Sequence, residues 1–73
     1  MYVVYRNPSD YPDKFVVRHY VVISGAVLVE DGPPMAVVDT LEDARGSIAT
    51  TAGELVRLPR HKDDDPVIVE VWV

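Results

Sequence analysis

The sequence predicts an α+β domain: a mainly antiparallel sheet of three to five strands with a single helix packed on one face, residues 1–73 forming one domain. Three observations carry this. Valine-rich segments recur between clusters of Gly, Pro, Asn and Asp, the pattern of short strands joined by turns. Only the stretch after Thr40 spaces its apolar residues three to four apart, as one face of a helix requires. And 73 residues leave room for a single core, burying about 60% of the surface that the unfolded chain exposes.

Taken in order, "MYVVYR" opens as a strand, and "NPSDYPDK" is a loop of turn-forming residues. "FVVRHYVVI", residues 15 to 23, is the second strand. Ser24 and Gly25 then make a tight turn, from which "AVLVE" returns antiparallel. "EDGPP", residues 30 to 34, is a stronger turn leading into "MAVVD", a short strand. Thr40 caps the helix "LEDARGSIATTAG", with Asp43 three residues on and Glu42 adding charge of the favourable sign. Leu41, Ala44, Ile48 and Ala52 share its buried face, Gly46 costs about 1 kcal/mol relative to Ala, and Gly53 ends it. "ELVRLPR" reads as an extended connection with Leu55 and Leu58 against the core, and "DDDP" as a turn feeding the last strand.

Strand side chains alternate between faces. In the last strand this sends Val67, Val69, Val71 and Val73 to the helix, and Ile68, Glu70 and Trp72 to the other side. In the second strand Phe15, Val17, Val21 and Ile23 oppose Val16, Tyr20 and Val22. Both faces are therefore apolar, and one helix covers one of them. The other is shielded by loops, used for self-association, or open as a contact surface, and the expected surface centres on Tyr20, Ile68 and Trp72. Arg6 and Tyr11 join the expected binding residues, because two prolines stiffen the loop "RNPSDYP" and less order is imposed on contact.

Parts for chemistry are sparse. The chain has no cysteine, which removes disulfides and thiolate chemistry, and its four glycines form no phosphate-binding motif. His61 and Asp63 to Asp65 are acceptable ligand types, but consecutive residues do not converge on a cation, so no metal or other cofactor is expected. Arg57, Arg60, His61 and Lys62 form a basic patch whose field the adjoining aspartates largely cancel within a Debye length of about 8 Å. His19 sits on a strand with no activated serine in a nucleophile-elbow pattern, so no catalytic residue is assigned and no enzyme is expected. The net charge of −5 opposes nucleic acid and anionic membranes. The longest apolar stretch, residues 20 to 29, is far short of a membrane span and lacks a basic leader, so a soluble cytoplasmic protein is expected.

"YRNPSDYPDKFVVR", "TLEDAR" and "DDPVIVEVWV" together give a chain that resembles a small bacterial protein family without an assigned activity. The resemblance spans most of the chain and implies no catalytic residue. The expected function is a non-enzymatic protein-interaction module, acting on a protein partner or as a homodimer through the uncovered face or an exposed edge. The alternative is a small acidic inhibitor that occupies a nucleic-acid-binding groove of a host protein, for which Asp10, Asp13, Glu30, Asp31 and Asp63 to Asp65 would have to cluster on one surface.

Overall fold

A computed structural model describes residues 1–73 except 24, 26, 31 and 60–65. The chain forms β1 (Tyr2–Arg6), β2 (Phe15–Ile23), β3 (Val27–Glu30), β4 (Ala36–Val38), α1 (Leu41–Ala52), β5 (Arg57–Pro59) and β6 (Ile68–Trp72). This is an α+β domain with six strands among the described residues rather than three to five. The additional strand is β5, a three-residue segment too short to show alternation, which becomes a strand by pairing with β6. The acid run at residues 63–65 and the basic residues 60–62 lie outside the described residues, as do Ser24 of the expected tight turn and Asp31.

Every strand pairing is antiparallel, in the order β3-β2-β1-β6-β5. The first and last strands are neighbours in the middle of the sheet. β4 pairs with Phe15 to Val17 of β2, whose other edge is taken there by β1, so β4 and β3 follow one another along the same edge of β2. Asn7 and Asp13 adopt positive φ of 52° and 63° in the loop after β1, where the Asn7 side chain accepts a bond from the Asp13 amide. Asn and Asp tolerate that backbone region better than most residues.

The helix starts as its sequence dictates. Thr40 is extended, and its hydroxyl accepts a hydrogen bond from the Asp43 amide at 3.1 Å. At the other end Gly53, at φ 68°, donates its N–H to the Ala49 carbonyl. Ala44 and Ile48 on its inner face join Val4 and Val17 of the sheet to form the buried core, flanked by Tyr2, Phe15, Val38, Leu41, Leu55, Val69 and Trp72. No helix of the described residues is long and apolar enough to cross a membrane.

The face assignment of the last strand needs correction. Val4 pairs with Glu70 while Tyr5 pairs with Ile68, so β6 carries one extra residue, Val69, at this point. Such a bulge presents two consecutive side chains to one face and shifts the parity beyond it. Val69 and Glu70 both face the helix, Ile68 faces away, and after the bulge Trp72 packs on the helix-side core. Val71, opposite Val3 and Leu58, is turned away from it. Leu58 is consequently off the helix-side core and 43% exposed.

The second face is closed at its centre and open toward its edges, where Leu28, Val37 and Leu58 are 49%, 41% and 43% exposed. Val3 and Val16 on it are buried, and so is Pro8 in the loop that follows β1. That loop folds back across the face, since Asp10 forms an ion pair with Arg18, the cross-strand partner of Val3. Loop shielding, one of the three options open to the second face, thus accounts for its centre.

Candidate functional site

β2 is nine residues long, but β1 pairs only with Phe15 to His19, and Met1 closes the ladder by exchanging both backbone bonds with Tyr20, at 2.8 and 2.9 Å. Beyond Tyr20 the strand pairs, among the described residues, with β3 alone. The result is a two-stranded ribbon with large apolar side chains in the open: Val21 is 36% exposed, Ile23 48%, Leu28 49% and Val29 40%. Val21, Ile23 and Val29 share the helix side of the sheet, and Leu28 the opposite side.

The outer edge of β3 is unpaired among the described residues. Tyr20 turns its N–H and C=O toward β1, so Val21 and Ile23 turn theirs toward β3, where they meet Val29 and Val27. By the same alternation the N–H and C=O of Leu28 and Glu30 point outward, and no further strand pairs with β3 among the described residues. The edge at the other end of the sheet differs. β5 ends on Pro59, which has no N–H to offer, and carries the charge of Arg57, both of which oppose strand addition. β3, with sequence VLVE, has no proline or cation.

Its one charge is already held. Arg18 pairs with Glu30 and with Asp10 at the base of the ribbon. Burial acts to lower the Arg18 pKa, but the hydrogen bond and charge of Glu30, with Asp10, outweigh it and hold the pKa above its ordinary value. Beside this group the hydroxyls of Tyr5 and Tyr20 share a hydrogen bond of 2.8 Å. The Tyr5 phenol is pushed above its usual range, first by burial and then by the bond to Tyr20.

Among the sequence-predicted contact residues, Tyr20 and Ile68 share the face away from the helix and are bridged by Tyr5, which pairs with Ile68 and bonds to Tyr20. Trp72 is on the opposite face, so the three do not form one patch. There it lies in a cross-strand row, His19, Tyr2, Trp72 and Arg57, in which the rings of Tyr2 and His19 stack at 4.5 Å. Tyr11 is half-buried in the loop over the second face, and Arg6 lines a shallow cavity of about 260 Å³ with Asn7, Asp13, Lys14 and Phe15. Lys14 in that cavity is paired with Asp39.

Sequence reasoning did not single out Glu70, whose side chain is 3% exposed. Arg45 of the helix donates Nε to Oε1 at 2.8 Å and Nη2 to Oε2 at 3.2 Å, while Arg57 Nη1 lies 3.6 Å from Oε2. The hydrogen bond to Glu70, then its charge, raises the Arg45 pKa. A glutamate between valines in "VIVEVWV" was the available signal, since a carboxylate in an apolar strand needs a cation. Among the described residues no three His, Asp or Glu side chains gather as metal ligands. Comparison with protein-family models, curated proteins and solved structures finds no match, which leaves the chemistry of these surfaces as the guide to function.

Proposed function

We propose that the protein is a non-enzymatic protein-interaction module whose contact surface is the ribbon of β2 and β3, with the outer edge of β3 as its docking line. The observation that carries this is the coincidence, in one four-residue strand, of outward-facing backbone groups and exposed Leu28 and Val29. Main-chain hydrogen bonds supply affinity in strand addition, and the alternating side chains supply selectivity. Of the acids that the acidic-inhibitor alternative gathers on one surface, Asp10 and Glu30 meet at Arg18, while Asp31 and Asp63 to Asp65 lie outside the described residues.

The test is a capture experiment from an extract of the native cell with the wild-type chain and a Val29→Lys variant of matched melting temperature. A lysine on an edge strand blocks pairing without disturbing the core. A protein retained by the wild type and lost from the variant supports the reading. Retention of the same proteins by both contradicts it.

A further inference from the structure

We infer that the strand received by the β3 edge is the β3 edge of a second copy of this chain, paired antiparallel about a two-fold axis at Val29. This rests on the interaction reading above and names its partner. A two-fold axis perpendicular to a sheet pairs residues whose numbers sum to a constant even number, which keeps side chains of the same face together. With the axis at Val29, Leu28 meets the partner's Glu30 and Glu30 meets the partner's Leu28. These are the two residues of β3 whose N–H and C=O point outward. The alignment therefore makes four reciprocal N–H···O=C bonds and uses every outward backbone group of the strand.

The side chains agree with that register. Val29 meets its own copy on the helix side, next to Val21. On the other side Leu28 packs along the aliphatic stem of the partner's Glu30, whose carboxylate stays on Arg18 as it does in the single chain. No charge is newly stripped of its partner. An axis at Leu28 offers only one reciprocal pair of bonds between described residues and is disfavoured. The edge is thus complementary to itself, and β3 carries no pattern of free charges that would select a different partner.

Electrostatics opposes the union without preventing it. Each copy has a net charge of −5, and each Arg18 holds two carboxylates. Such repulsion is screened by salt, so this association tightens as ionic strength rises, whereas an interface held by ion pairs would weaken. A four-residue edge is a small contact, and dissociation constants on the order of micromolar or weaker follow.

Sedimentation of the wild type from about 10 μM to 1 mM reads the association, with an expected rise in weight-average mass toward twice the monomer, more at 0.5 M salt than at 0.05 M, conditions chosen around the expected affinity. Val29→Lys is expected to remain monomeric throughout. Since the chain has no cysteine, Val29→Cys gives a second, independent reading. Directly opposed residues at a non-hydrogen-bonded position have Cα atoms about 4.5 Å apart, within disulfide reach. Oxidised Val29→Cys is expected to form dimer at least about tenfold faster than Ile23→Cys, which lies away from the axis. A constant monomer mass, with both cysteine variants cross-linking at one rate, overturns the inference. If a different protein is then still captured through Val29, self-pairing alone falls. If Val29→Lys alters no association at all, the interaction reading falls with it.

Discussion

Arg45 and Glu70, 25 residues apart in sequence, join the flank of the helix to the interior of the sheet through two hydrogen bonds of 2.8 and 3.2 Å. The carboxylate is buried and the guanidinium is not. Removing the arginine leaves the buried charge to Arg57, whose nearest nitrogen is 3.6 Å away. Thermal melts should therefore show Arg45→Ala lowering the midpoint more than Arg57→Ala does. The pair should also couple, with the Arg45→Ala/Glu70→Ala double variant less damaged than the two single losses combined. Strict additivity would mean that the contact contributes nothing to folding.

Ile48 is 1% exposed at the centre of the core. Ile48→Ala should cost about 2–5 kcal/mol through lost burial and the cavity left behind, enough to remove much of a small domain's stability. Val56, which is 64% exposed, is the control, and Val56→Ala should leave the urea midpoint within error.

Gly46 lies in the middle of the helix, and a Cβ built there meets nothing within 4 Å. Gly46→Ala should accordingly stabilise the protein by about 0.5–1 kcal/mol, raising the melting midpoint by several degrees. A fall in the midpoint would show that the helix surface at Gly46 is covered.

The Tyr5 phenol has its pKa raised above the ordinary value of 10.0 by burial and by the bond to Tyr20. The folded state then holds this proton more firmly than the unfolded chain does. Its contribution to stability is complete below about pH 10 and is lost as pH rises toward the folded value. Urea midpoints should decline above pH 10, and Tyr5→Phe should flatten that decline. An absorbance titration of the four tyrosines should show one resisting ionisation while the protein remains folded.

Most of the element positions were legible in the sequence because each carried a local signal. Thr40 and Gly53 bracket the helix with cap chemistry, and β1, β2 and β6 are valine-rich runs bounded by turn residues. What sequence periodicity missed depended on pairing. The bulge at Val69 exists only because Val4 and Tyr5 pair across it, and that single inserted residue moves Trp72 to the helix face. β5 likewise owes its strand character to β6. The sequence pointed to an uncovered face or an exposed edge without placing either, since the opening of the β2–β3 ribbon depends on how far β1 and β4 reach along β2.

Amide hydrogen exchange of β3 tests the central claim most directly. The N–H groups of Leu28 and Glu30 face outward, whereas those of Val21 and Val29 are already bonded within the ribbon. Concentrating the protein from about 10 μM to 1 mM, the range of weak association, should slow exchange at Leu28 and Glu30 by about tenfold or more. Val21 and Val29 should change little, and in the Val29→Lys variant Leu28 and Glu30 should stay fast. Exchange at Leu28 and Glu30 that is the same at both concentrations, in the presence and absence of any captured partner, would contradict the assignment of this edge as the contact surface.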